Sequence, residues 1–176
     1  MSIQVKRFHG GVHPVDPEKK RTRGLAIEDV PAPERVVLAL QQHIGAPAKA
    51  TVKKGDEVKR GQVVAEPGGF VSVPIHSPVS GKVVEVGTCR HVLGMDVPAV
   101  TVENDGENED ADGIGEAVDA AASLSPSDIK DRIRDAGLCG MGGAGFPTHV
   151  KLSPPEGKNI DVLILNGAEC EPALSA

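Results

Sequence analysis

Between Val36 and Val102 the chain is written in short valine-rich runs, each closed by turn residues. "TVKKGDEVKRGQVVAE" turns at Gly55-Asp56 and again at Gly61, and "VSVPIHSPVSGKVVEV" repeats the scheme, with a turn expected at Ser80-Gly81. β-Branched side chains are stiff at χ1 and favour the extended chain, so short strands at this spacing predict a compact all-β unit. Composition narrows the choice further. Only Phe8, Phe70 and Phe146 are aromatic among 176 residues, so a core built from Val and Ile, as in a sandwich or small barrel, is expected.

The string V-x-x-G-D-x-V-x-x-G-Q, followed by P-x-S-G-x-V, resembles the biotinyl/lipoyl barrel-sandwich hybrid fold. In carrier proteins of that fold a lysine at the hairpin tip between the two halves takes the cofactor. Here the connecting segment reads "EPGGFVSVPIHSP", and no lysine lies between Gly61 and Gly81. The resemblance therefore implies a lipoyl-like scaffold, over 35–105, that serves as a structural module rather than as a carrier.

The flanks read differently. Residues 1–34 are rich in Pro, Gly and charge without sustained period and are expected to form an extended arm. His9 and His13 have i,i+4 spacing, but Gly10, Gly11 and Pro14 oppose a helix and hence a two-histidine metal face. Residues 106–124 read as an acidic, solvated linker. Within it Asn108, Asp110, Asp112, Gly113 and Asp119 match positions 1, 3, 5, 6 and 12 of a calcium-loop template. Asn at the first position, the short Asp at the last and Gly115 at the eighth favour the linker over the ion. "SLSPSDIKDRIRDAGLC" predicts a helix capped by Ser125, with Pro126 at its first position and Gly137 after its end. Ile129 and Ile133 supply its apolar stripe. "IDVLILN" (160–166) predicts a buried strand of an α/β sheet. The fold class expected is thus mixed α+β: an all-β barrel-sandwich module followed, over 125–176, by the start of an α/β domain.

Bulk properties exclude several classes of function. A net charge of −6 with few aromatic stacking platforms argues against a nucleic-acid surface. The longest apolar run, Val36 to Leu40, is far short of the roughly 20 residues of a membrane span. The N-terminus "MSIQVKRFHGG" lacks the apolar core of a signal peptide, so a cytoplasmic protein is expected. Cys89, Cys139 and Cys170 are odd in number and form no C-x-x-C pair, so neither a disulfide framework, a zinc site nor an iron–sulfur site is expected within the chain.

"GLCGMGGAGFPTHVKL" (137–152) carries Gly140, Gly142, Gly143 and Gly145 within six positions. The string matches G-x-G-x-x-G, but a helix rather than a strand precedes it, and no Lys-Ser or Lys-Thr follows it, so neither the Rossmann nor the Walker motif applies. Bare glycines still let backbone N–H groups approach a phosphate. Thr148 is a candidate cap for a short following helix, and Lys151 a candidate partner for an anionic ligand group. A plain hinge is the competing reading.

The same stretch resembles the "G-R-G-G-A-G-F-P-T-G-x-K" loop of the flavin- and NADH-binding subunit of respiratory complex I, and "NGAECEP" resembles its "NADESEP". It is still more similar to the C subunit of Rnf-type ion-translocating electron-transport complexes. The features shared with that family are "FHGGVHP", "QHIGAPAKATVKKGDEVKRGQ", "SVPIHSPVSGKV" and "GMGGAGFPTHVKL", which span nearly the whole chain. The resemblance implies a peripheral subunit on the cytoplasmic side of the membrane. Such a subunit takes hydride from NADH onto FMN and passes electrons through 4Fe-4S clusters toward ferredoxin, in company with the other subunits of the complex.

Carried over by position, Gly140, Gly142, Gly143, Ala144 and Gly145 would wrap the FMN phosphate and ribityl region, with Lys151 nearby. Asn166 would contact the flavin, and Glu169 and Glu171 would line the flavin–nicotinamide site as its catalytic pair. Met141 stands where complex I has arginine, and Ala168 where it has aspartate. The clustered cysteines of the family are expected only beyond this chain, so the fragment is expected to be inactive alone. Flavin-dependent cobalamin reductases share similar glycine-rich and "AECEP" motifs, and a non-catalytic adaptor is a third possibility. The arm and barrel ahead of the glycine loop favour the Rnf-like order.

Because the barrel tip offers no lysine, protein produced in cells with active lipoyl and biotin ligases should have the intact mass of its sequence. A lipoyl or biotinyl adduct on residues 35–105 in that mass spectrum would refute the structural-module reading.

Overall fold

The computed structural model describes residues 21, 24–115, 123–141 and 143–165. The chain divides into two units, one spanning Pro31–Ile160 and the other comprising Met1–Val30 with Asp161–Ala176. In the first, seven strands precede two helices: β1 Arg35–Ala39, β2 Lys49–Ala50, β3 Glu57–Val58, β4 Val63–Glu66, β5 Ile75–His76, β6 Gly81–Arg90, β7 Asp96–Asn104, α1 Pro126–Asp135 and α2 Thr148–Lys151. β1-β7-β6-β3 form one antiparallel sheet and β2-β4-β5 another.

The two sheets close over one aliphatic core. β1 contributes Leu38, β3 Val58, β4 Val64 and Ala65, β5 Ile75, β6 Val83, and β7 Val100 and Val102, with Leu40, Ala48 and Val79 from the connections. Apolar burial of this kind stabilises by about 25 cal/mol per Å2. Among the described residues no aromatic side chain joins the core cluster, and Phe70 is 72% exposed. A core of valines needs short strands that bend between sheets. The chain supplies them with a device used twice.

In the first turn the Gly55 N–H donates to the Val83 carbonyl (2.7 Å) and the Val83 N–H to the Asp56 carbonyl (2.8 Å). Six residues on, the Gly61 N–H donates to Ser77 (2.7 Å) and the Ser77 N–H to Gln62 (2.9 Å). Each turn is latched by its own fourth residue: Asp56 Oδ2 accepts from the Lys53 N–H and Gln62 Oε1 from the Lys59 N–H. Gly55 (φ +98°) and Gly61 (φ +82°) occupy the left-handed region that these turns require. The turn expected at Ser80-Gly81 is not one. Gly81 instead opens β6, pressed so close to β7 that a Cβ would strike the Glu103 carbonyl oxygen.

The stretch expected as a solvated linker begins as a strap on the barrel. Ser80 Oγ donates to Asp105 Oδ1 (2.6 Å) and accepts from the Glu109 N–H (3.1 Å). Arg60 exchanges backbone bonds with Glu109 and Ala111 and grips Asp110 through two guanidinium bonds of 2.6 and 2.9 Å. Hydrogen bonds from Ser80 and the Glu107 N–H lower the Asp105 pKa, and the Arg60 guanidinium lowers that of Asp110. Asp110 is thus committed to Arg60, and Asp119 of the calcium template lies outside the described residues. Of the 1–34 arm, residues 24–30 take no helix or strand, and most of the rest lies outside the described residues.

Of the strand expected over 160–166, the described residues 160–165 take no strand conformation. Residues 160–165 form no ladder, and Ile160, Val162, Leu163, Ile164 and Leu165 are 65–85% exposed. An apolar run becomes a buried strand only when neighbours take its N–H and C=O groups, and no described residue does so. Of the mixed fold expected, the described residues therefore carry the barrel-sandwich module and two helices.

Val100 is fully buried between the sheets and its two methyl groups have no route to solvent. Val100→Ala should lower stability by about 2 kcal/mol through lost transfer energy and residual cavity. The check is urea unfolding, with a lower midpoint and an unchanged slope.

Candidate cofactor site

α1 delivers the chain to the glycine loop. Ser125 caps it in a reciprocal box: its Oγ accepts from the Asp128 N–H while Asp128 Oδ2 accepts from the Ser125 N–H. At the other end the Leu138 N–H reaches the Ile133 carbonyl and the Gly137 N–H the Arg134 carbonyl, the Schellman arrangement with Gly137 at φ +70°. Both ends match the expectation from sequence. The Ile129/Ile133 stripe does not become a core, since α1 buries no residue among those described.

Beyond Gly137 the chain leaves and returns on itself. The Gly140 N–H donates to the Phe146 carbonyl (2.8 Å), the Thr148 N–H to Leu138 (2.9 Å), and Cys139 bridges Pro147 in antiparallel register. These bonds pinch off a loop at 140–146. The backbone N–H groups of Met141, Gly143, Ala144 and Phe146 donate to no described acceptor, and Gly143-Ala144 form a turn. Gly143 is at φ +73° with open space where a Cβ would stand, and Gly145 is at φ +63°. A run of unpaired N–H groups with alternating backbone hand is a nest for an anion.

Lys151 reaches back over this loop: its Nζ lies 2.6 Å from where a Cβ on Gly140 would be. It makes no salt bridge among the described residues. α2 begins with Pro147 at its cap position and no side-chain capping bond, so Thr148 is the first helical residue and not the cap. A single turn of helix adds little dipole, and the loop N–H groups and Lys151 are the anion-facing elements.

A cavity of about 1030 Å3 opens between the loop (Gly140, Gly143, Ala144) and the barrel (Gln42, His91, Leu93). It is of the size that takes a nucleotide-sized ligand. Cys139 lines it. Burial pushes its thiol above the usual range, and the Lys151 ammonium opposes that shift. Among the described residues no three His, Cys, Asp or Glu side chains gather to hold a metal.

The structure therefore brings together Gly140, Gly143, Ala144, Gly145 and Lys151. Gly142, Asn166, Glu169 and Glu171 lie outside the described residues. Sequence reasoning missed the barrel's part in the site, namely Gln42, His43 and Ile44 beneath the loop and the buried His149 beside it. The only signal was His149 itself, which stands where the complex I loop has glycine.

The described residues thus combine a barrel-sandwich module that has no attachment lysine with a glycine loop lying against it. Residues 6–107 match the RnfC barrel sandwich hybrid domain, and the chain belongs to that family. Residues 133–176 match the Nuo51 FMN-binding domain. The C subunit of a proton-translocating ferredoxin:NAD(+) oxidoreductase complex of Clostridium ljungdahlii is 48% identical over 98% of this chain and 37% of its own length. Its counterpart in a Na(+)-translocating ferredoxin:NAD(+) oxidoreductase complex of Acetobacterium woodii is 44% identical over 100% of this chain and 39% of its own. The C subunit of an ion-translocating oxidoreductase complex of Rhodobacter capsulatus is 40% identical over 98% and 33%. The chain thus spans less than two fifths of the length of these relatives. No helix among the described residues is long and apolar enough to cross a membrane.

With its thiol raised by burial, Cys139 should alkylate slowly at neutral pH, and the rate should climb only as pH passes above the ordinary thiol range. Lys151→Met removes the opposing cation and should slow it further, as measured by peptide mass mapping of iodoacetamide adducts. Unchanged or faster alkylation would show that the ammonium does not face the loop.

Proposed function

We propose that this chain is the N-terminal part of a peripheral subunit through which electrons pass between NADH and ferredoxin in an ion-translocating membrane complex. The observation that carries the reading is the glycine loop at 140–146, whose unpaired N–H groups and neighbouring Lys151 suit a phosphate. The match of 133–176 to an FMN-binding domain, and the names of the relatives, support the same ligand and the same company of subunits. FMN, when bound, supplies the chemistry that links two-electron exchange with nicotinamide to one-electron exchange with clusters.

The residues present fit that group. Gly143 and Ala144 would meet the phosphate through backbone N–H groups, Gly140, Gly142 and Gly145 would keep the loop bare enough for the phosphate and ribityl region to approach, and Lys151 would supply the positive charge that Met141 does not. Asn166 holds the flavin, while Glu169 and Glu171 orient the nicotinamide. The 4Fe-4S clusters belong to the part of the protein beyond this chain, because close groups of cysteines are needed to ligate them. The 1–34 arm, the 35–105 barrel and the 106–124 linker precede the cofactor-binding segment at 125–176 as support and as contact surface for partner subunits on the cytoplasmic side.

Valine at Gly143 meets open space, so its cost falls on the backbone: φ +73° is strained for a β-branched residue. Shifting that backbone removes N–H groups from the phosphate. Charge-assisted bonds are worth roughly 1.5–3 kcal/mol each, so losing two weakens binding by about two to four powers of ten. Gly143→Val in the full-length protein should purify largely without flavin and keep the melting behaviour of the barrel. FMN near one per chain in that folded variant would remove the support for the phosphate loop and favour the hinge.

A further inference from the structure

The glycine loop does not stand alone; it lies on the barrel. Two barrel segments form the seat. The Ala46 N–H donates to the Val71 carbonyl (3.0 Å), joining 42–46 to the hairpin tip at 68–73. The buried His43 ties them again, with Nδ1 on the Ile44 carbonyl (3.0 Å) and Nε2 accepting from the Val73 N–H (3.2 Å). Against this seat the Ile44 N–H donates to the Ala144 carbonyl (3.0 Å). Gly145 packs so closely that a Cβ would sit 3.0 Å from the Gln42 carbonyl oxygen.

The far side of the loop is held as well. Pro147 is fully buried, and His149, only 7% exposed, donates from Nε2 to the Phe70 carbonyl at the tip (3.1 Å). Its ring also meets Phe70 edge-on, with centroids 6.1 Å apart. His149 Nδ1 is buried without a partner. A side chain with an unmet polar atom is a poor core filler, and its bond to the tip is what an aliphatic residue of similar size would lack.

We infer that the barrel tip holds the glycine loop in its anion-binding form, with His149 as the positioning residue. The inference rests on the phosphate-loop reading above and names what maintains that site. The physical link is the 144–145 peptide. A trans peptide points its C=O and its N–H in opposite directions, and the chain has no cis bond among its described residues. Fixing the Ala144 carbonyl on Ile44 therefore fixes the plane of the 144–145 peptide, and with it the direction in which the turn at Gly143-Ala144 presents its N–H groups. The tip that presents a cofactor-bearing lysine in carriers here clamps a cofactor-binding loop.

The test compares His149→Leu, which keeps bulk and loses the hydrogen bond, with His149→Gln, whose amide can donate to the same carbonyl. Both are made in the full-length protein. Amide exchange at Ile44, Gly140 and Thr148 is read without FMN, and FMN affinity is read by flavin fluorescence. His149→Leu should raise exchange at those amides about tenfold and weaken FMN by a similar factor. Exchange in β6 and β7 should stay unchanged, and His149→Gln should recover much of both losses. Wild-type exchange in His149→Leu, or equal impairment in the two variants, would overturn the inference. Should His149→Leu also lose protection in β6 and β7, His149→Gln decides alone: it must keep near-normal exchange at Ile44. If the wild type binds no FMN, the proposed function fails, while the exchange measurements still decide the clamp.

Discussion

The paired bonds at Gly55/Val83 and Gly61/Ser77 organise everything downstream of them. Each takes a tight turn in one half of the barrel and fastens it to the opposite half six residues apart, so that short strands too weak to persist alone become two sheets facing one core. Because both ends of the 62–77 excursion are fixed by the second of these pairs, the hairpin tip at 68–73 is delivered to a set place. The same tip then joins 42–46 to make the seat for the glycine loop. A fault in the turns would be felt at the glycine loop through this chain of contacts, without any change in the loop's own residues.

An anion nest made of glycines has a problem that its composition creates. Gly140, Gly143 and Gly145 leave the loop backbone bare because they have no side chains, and for the same reason they carry little that can hold it in place. The solution here is external. Carbonyls and amides of the barrel, a buried imidazole and a fully buried proline restrain the loop from both sides, and Lys151 is brought back over Gly140 by the single turn of α2. The acidic strap at 105–111 is held by other residues of the barrel, where Arg60 and Ser80 turn what composition reads as linker into part of its surface.

Much of this is legible in the residues alone. The turn glycines at 55 and 61, the valine core, the Ser125 cap and Gly137 stop of α1 all follow from local chemistry, because each is satisfied by residues within a few positions. Three readings failed for the converse reason. Gly81 looks like a turn residue but serves a close approach between β6 and β7, a relation 22 residues apart along the chain. Residues 160–165 have the composition of a buried strand, yet no described residue pairs with them. Thr148 has the chemistry of a cap, but Pro147 occupies that position.

By itself the sequence determined the period of the strands, the aliphatic nature of the core, the absence of an attachment lysine at the tip, and a loop whose glycines leave backbone N–H groups bare. Those are properties of local composition and spacing, and they hold in any context. Only the tertiary structure decided that the tip, freed of a carrier's task, meets the loop: Ile44 with Ala144, Gln42 with Gly145, Phe70 with His149. Such pairs, about 80 to 100 residues apart, involve backbone atoms that every residue possesses. His149 apart, no side chain marks them in advance, and it is the packing of two separately legible pieces that selects them.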